Sequence, residues 1–277
     1  MDMLIAAVIA FYLMSAMGYI AFLFIQKDYL QKTAFYMLMG GFLFHSIAVG
    51  YGFFQIGYIL GHVPVTNLYE TLLLAGWAIS GVFILLQYKY NLKILGVYAS
   101  PLVLLTVIFA ALLPKESVQV QNLFNNFWLI FHIISIFIGE AIFALACGIG
   151  ILYLLQEHEI KTKNHGFFFK RLPSLELLDS TGYACIIAGF TLLTIGLVTG
   201  MIYAKLIWGK FWSWDPKEVW SVVSWLLYAV LLHQRITIGF RGRRAAIMAI
   251  IGFGALLFTF LGVNFFLKGH HEPFTRW

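Results

Sequence analysis

KLIWGKFWSWDPKEVW, residues 205–220, decides how the rest of the chain is read. Four tryptophans, Trp208, Trp212, Trp214 and Trp220, fall within thirteen positions and bracket Asp215, Lys217 and Glu218. A strongly apolar run lies on either side, so the tryptophans sit where a membrane-crossing chain meets water. An aromatic belt at the lipid headgroups accounts for one or two such residues. Four of them, interleaved with charges and with Gly209, exceed what anchoring needs. An indole face is a flat apolar platform whose N–H requires a polar partner, which suits a flat, amphipathic, aromatic ligand.

Working outward, the 277 residues are 61% hydrophobic and only 11% charged, with a mean hydropathy of +0.88. A soluble domain of that size has no way to bury so much apolar surface. Runs of about twenty apolar residues recur along the chain, each able to cross a hydrocarbon layer about 30 Å thick. Eight spans are expected, at 3–25, 34–60, 67–88, 94–113, 124–155, 181–206, 219–236 and 245–267. None alternates with period two, and lipid tolerates only helices or closed barrels, so the fold is all-α, a polytopic helix bundle. The first run has no small-residue cleavage site after it and reads as a span, not a removed signal. With no inserted soluble domain and no internal repeat, residues 1–277 form a single integral-membrane domain.

The basic residues set the orientation. Loops 26–33, 89–93, 156–180 and 235–244 hold twelve of the eighteen Lys and Arg residues, against six in the alternate loops and termini. The richer set is cytoplasmic by the positive-inside rule. Both termini and the 205–220 loop then face outward, to the periplasm in a bacterium. A pI near 9.2 reflects this scatter of loop cations, with no stripe fit for nucleic acid. The segment KTKNHGFFFKR, 161–171, reads as a basic interfacial stretch. Cys147 and Cys185 lie inside separate spans and offer no CxxC motif, which removes disulfide, zinc and thioredoxin-like chemistry.

On this map the histidines separate. His158 and His165 fall in a basic loop, and His62 in the outer turn GHVPVTN. His132, at the outward end of the fifth span, lies at the same surface as the Trp-rich loop, as do His270 and His271 after the eighth. Two neutral imidazoles from different helices can serve as axial ligands of a haem iron, with the tryptophans beside a porphyrin. His233, near the inward end of the seventh span, and His45, within the second, are intramembrane ionisable groups that could hold a second, inner iron. Their depths match poorly, since His45 lies about 15–18 Å from the inner end of its helix. Glu70 and Glu140 read as structural carboxylates, Glu140 on nearly the same helix face as His132.

WGKFWSWDPKEVW resembles the signature of the WWD-domain haem-handling superfamily of cytochrome c maturation. Within it the chain looks like the CcsA/ResC-type subunit of system II cytochrome c synthases. The likeness extends through NLYE at 67–70, WLIFH at 128–132, SWLLYAVLLHQR at 224–235 and GVNFFLKGHH at 262–271. It implies that haem b is carried across the bacterial inner membrane and presented outside to apocytochrome c, whose CxxCH cysteines add to the haem vinyls. It implies a CcsB/ResB-type membrane partner, surrounding lipid and no nucleic acid. The family pattern puts His132 and a tail histidine on the outer iron. Gly269 selects His271, while the GHHEPF tail keeps His270 in play. His233 matches the inner ligand, with its mate supplied from elsewhere in the complex; His45 rests on this sequence alone. Trp208, Trp212, Trp214 and Trp220 would form an aromatic shelf, with Gly209 turning the loop and Asp215 fixing it. Lys210 and Lys217 would face the haem propionates.

No side chain stands out as a general acid, base or nucleophile, which leaves catalysis by positioning. Alternatives are a haem-b electron-transfer subunit and a CcmC-like protein delivering haem to a periplasmic chaperone, the latter usually with six spans. A solute transporter lacks support, because no broken helix pair marks a midplane site.

Overall fold

The computed structural model describes residues 1–54, 65, 67–115, 127–163 and 166–263. Eight long helices occur in order: α1 (Asp2–Ile25), α2 (Asp28–Gly52), α3 (Leu68–Tyr90), α4 (Gly96–Leu112), α5 (Phe127–Lys161), α6 (Leu175–Trp208), α7 (Pro216–Ile238) and α8 (Arg243–Leu257). A short 3₁₀ turn, Lys93–Leu95, leads into α4, and one π-helical turn, Phe258–Gly262, extends α8. All eight segments are long and apolar enough to cross a membrane. No strand occurs among the described residues.

The number of spans agrees with the expectation, but several boundaries move. α2 begins at Asp28, six residues before the apolar window, because an acidic residue in the first turn suits the positive helix end. α5 runs on to Lys161 through Glu157 and Glu159, and Lys161 Nζ pairs with Glu157 one turn back at 2.8 Å. α6 begins at Leu175, where the Ser174 hydroxyl accepts the Leu177 N–H at 3.3 Å. Helix persists in each case because polar termini are capped or paired in water, beyond the stretch that hydropathy detects. At 35 residues α5 is about 52 Å long, well over a bilayer core.

The bundle has two four-helix groups. In the first, α1 packs on α2 and α4, and α3 on α4; in the second, α5 packs tightly on α6 and also on α8, which meets α7. The groups join where α3 lies against α5. Close approach depends on glycine notches filled by aromatic rings. Any side chain at Gly96 would stand only 2.1 Å from the Tyr19 ring. Tyr19 is fully buried there and donates to Gln87 Oε1 at 2.7 Å.

Charged contacts gather at the ends. At one end, formed by the starts of α1 and α3 and the end of α4, Lys115 pairs with Asp2 and lies over the Tyr69 ring. The opposite end carries Lys93–Asp28 at 2.9 Å and Arg243–Glu157 at 3.3 Å. There too Arg171 donates to the Leu23 and Phe24 carbonyls at 2.8 and 3.1 Å, closing the C-terminus of α1. The segment read as merely interfacial is thus pinned to the bundle. Arg235 binds Asp179 with two parallel hydrogen bonds of 2.9 and 2.6 Å, and Asp179 also accepts the Gly242 N–H at 2.9 Å. This one carboxylate links α6, α7 and the start of α8.

Candidate haem-handling cavity

A cavity of about 300 Å³ opens between α5, α6, α7 and the end of α8, with Val65 and Thr71 reaching it from the α3 side. His132 stands on its wall. The Gly196 carbonyl accepts from His132 Nδ1 at 2.7 Å. A carbonyl can only accept, so the proton resides on Nδ1 and Nε2 is the lone-pair nitrogen, the form in which imidazole ligates a metal. The ring fits because α6 has a glycine at 200. A Cβ there would lie 2.8 Å from ring atoms Cε1 and Nδ1. Gly200→Ala is therefore expected to rotate the imidazole off Gly196 and weaken haem binding about tenfold, as loss of a ligand's supporting bond does, read by spectroscopic haem titration.

Of the four tryptophans, two line the cavity, Trp208 and Trp212, joined by Phe211. α6 ends at Trp208 with Gly209 at φ 71°, a left-handed cap that glycine adopts without strain. Trp212 and Trp214 meet edge to face, centroids 5.8 Å apart, but Trp214 is 78% exposed. Trp220, on α7, packs on Phe258 at 4.5 Å and is not among the lining residues. The loop is thus two walls and two outliers, not one shelf. Lys210 is exposed and apart from the cavity, whereas Lys217 lines it.

The loop is shaped by Glu218, to which the sequence alone assigned no role. Its carboxylate accepts the Ser213 N–H at 2.8 Å, the Ser213 hydroxyl at 2.9 Å and the Asp215 N–H at 3.3 Å. Asp215, 4% exposed, caps α7 by accepting the Lys217 N–H at 2.9 Å, and Pro216 occupies the first helical turn. Asp-Pro-x-Glu is a capping box, legible from spacing alone. Between the two clamped amides sits Trp214 at φ 60°, left-handed backbone that costs a bulky residue about 1–2 kcal/mol. Glu218→Ala releases that segment and is expected to cost about 2 kcal/mol, measured as a lowered melting temperature in detergent, with Glu218→Gln intermediate.

Glu140, read from the sequence as a structural carboxylate, lines the cavity two turns along α5 from His132. The π turn at the end of α8 directs Phe260 into the same space, edge to face with Phe137 at 6.1 Å. A π turn adds a residue to the helical circuit and re-aims the side chains beyond it, a device found often at functional sites.

The inner pair is not brought together. His45 is fully buried, its Nδ1 3.2 Å from the Tyr12 hydroxyl oxygen, and that hydroxyl donates to Ser80 at 3.1 Å. His233 is exposed on α7, the least buried of the eight helices. α2 packs on α1 and α3, while α7 packs on α6 and α8. His158 is exposed at the far end of α5. His62, His165, His270 and His271, with Lys268 and Gly269, lie outside the described residues.

Residues 65–271 match the family described as "Cytochrome C assembly protein". Curated relatives named "Cytochrome c biogenesis protein CcsA" include one from Guillardia theta, 36% identical over 231 residues and covering 76% of this chain and 77% of the relative. Another, from Prochlorococcus marinus (strain MIT 9515), is 39% identical over 235 residues, covering 76% and 75%. A third, from Porphyra purpurea, is 34% identical over 252 residues, covering 76% and 79%. Among solved structures, "Cytochrome c Heme Lyase CcmF" superposes with a TM-score of 0.65 at 17% identity, across 99% of this chain. The chain spans about half of that protein, 48%, and the likeness speaks to the fold alone. Eight membrane-length helices, the matched span and relatives above 30% identity lead to one conclusion: the chain belongs to the cytochrome c assembly protein family, as a CcsA-type multi-pass membrane protein of cytochrome c biogenesis.

Proposed function

We propose that the cavity receives haem b at the outward, periplasmic face of a bacterial inner membrane and holds it for thioether attachment to apocytochrome c, as the polytopic half of a system II synthase. The reading is carried by His132, whose imidazole is anchored through Nδ1 on Gly196 and lines the cavity together with Trp208 and Trp212. The residues fit such a cargo: an axial nitrogen, flat aromatic walls from Trp208, Trp212 and Phe260, and a cation, Lys217, for its carboxylates. His271, or His270, would be the second ligand, from the tail beyond Val263.

The orientation rests on the charge partition between loops, with the His132 end outward. His233, exposed on the least buried helix, would ligate haem on its way across, with the opposing ligand from a CcsB/ResB-type partner packed on α7. The electron-transfer alternative needs an internal inner pair, and the packing of α2 and α7 gives that reading no support.

The chemistry asked of the protein is placement. A cysteine S–H adds across a haem vinyl: the S–C bond forms, the thiol proton passes to the terminal vinyl carbon, and no external oxidant is consumed. Bringing thiol and vinyl to about 3–3.5 Å in a water-poor pocket removes much of the entropic barrier. The test is co-expression with a CcsB/ResB partner and a CxxCH reporter in cells lacking their own maturation system. Covalent haem on the reporter is expected only when both membrane proteins are present. A reporter that stays haem-free with both would overturn the synthase reading. Purified protein that takes up no added haem would overturn haem binding altogether.

A further inference from the structure

Among the described residues, one imidazole and three charged side chains line the cavity: His132, Glu140, Lys217 and Glu218. His132 is committed to Gly196 and Glu218 to the 213–215 loop. The side chains of Glu140 and Lys217 make no hydrogen bond, and no ion pair within 4 Å, among the described residues. They nevertheless line one space, Glu140 from α5 and Lys217 from the first turn of α7. Unpaired charges against apolar walls are costly, and these two, opposite in sign, share one largely apolar space. The Lys217 backbone N–H is held by Asp215, which fixes the root of its side chain beside the space.

A haem entering this cavity brings carboxylates of its own. The Lys217 ammonium then has two kinds of anion to choose between. We propose that Glu140 is a stand-in carboxylate: it is the opposite charge that shares the cavity with Lys217, and it competes with a cargo carboxylate for that ammonium. The inference rests on the haem reading of the cavity and deepens it. It assigns the cavity a cargo class, a tetrapyrrole with free carboxylates, and it assigns Glu140 the task of keeping the hold releasable. A site that must hand its cargo on gains nothing from maximal retention. Glu140 trades affinity for exit, and the trade is made at a distance of about 12 Å along α5 from the iron ligand, eight residues at helical rise.

The experiment is a titration of purified full-length protein with haem and with haem dimethyl ester, followed by absorption. Glu140→Gln keeps shape and removes the competing charge; haem should bind about tenfold tighter, the scale of one charge-assisted hydrogen bond. Lys217→Met should weaken haem about tenfold. The double variant should fall between, which also shows that neither single effect is misfolding. With the ester, all variants should agree within about twofold, the error of such comparisons. Equal haem affinity in Glu140→Gln and parent, or ester shifts as large as haem shifts, overturns the stand-in role while leaving haem binding intact. If the parent binds neither haem nor ester, both readings fall together.

Discussion

Replacing His132 by Ala is expected to lower covalent haem on a CxxCH reporter by at least about 100-fold, more than the loss of a mere supporting bond. Ala removes the nitrogen that would bind iron and one donor to the Gly196 carbonyl, which still accepts from the Thr199 hydroxyl at 3.0 Å. The fold should survive, because a single neutral hydrogen bond contributes about 1 kcal/mol. Melting in detergent therefore separates the two effects: activity collapses while the melting temperature moves only a few degrees. His132→Gly supplies a positive control. Added imidazole can enter the vacated space, and the axial-ligand absorption of bound haem should return with it. Full reporter haemylation by His132→Ala would remove this residue from the site, whatever its geometry suggests.

Asp179→Ala is expected to cost about 3–5 kcal/mol, the largest stability effect among these substitutions. The carboxylate accepts two bonds from Arg235 and one from the Gly242 N–H, and the Arg235 and Asp179 side chains are only 9% and 19% exposed. Removing Asp179 strands a guanidinium that still lies 4.1 Å over the Tyr183 ring and leaves the entry to α8 uncapped. Asp179→Asn retains an acceptor for Gly242 and should lose roughly half as much. The measurement is a thermal or steric-trap unfolding curve in lipid or detergent. Parent-like stability in Asp179→Ala would show that α6, α7 and α8 are held by apolar packing alone.

Sequence and structure agree where a property is additive along the chain. Eight spans are legible because each is a sum of some twenty side-chain transfer energies. Helix ends are less so: α2, α5 and α6 continue through Asp28, Glu157 and Leu175 because caps and ion pairs replace lipid there, and no hydropathy window records a cap. At the candidate site, the placement of His132 beside Trp208 and Trp212 is legible from the span map. The separation of Trp212 from Trp214 is not, since direction in an irregular loop depends on backbone angles that hydrogen bonds elsewhere impose. Glu218 was recoverable from Asp215–Pro216–Lys217–Glu218, a spacing with a known geometry. Glu140 was not, because Lys217 is 77 positions away and only the cavity both helices line brings the two to one space. The same applies to His45: an intramembrane histidine pairs in sequence with His233 only until α2 is seen to pack on α1 and α3, with His45 Nδ1 against the Tyr12 hydroxyl.

The Glu218 clamp has a bearing on when the site takes shape. Its bonds to Ser213 and Asp215 close loops of five residues or fewer, and contacts so local form on the submicrosecond scale of small-loop closure. The seat of His132 depends on Gly196, 64 positions along the chain, and must wait for α5 and α6 to dock. The tryptophan-bearing rim is thus an early product of folding and the seat of His132 a late one. A chain stalled with α5 and α6 apart would display a finished rim around an unfinished socket.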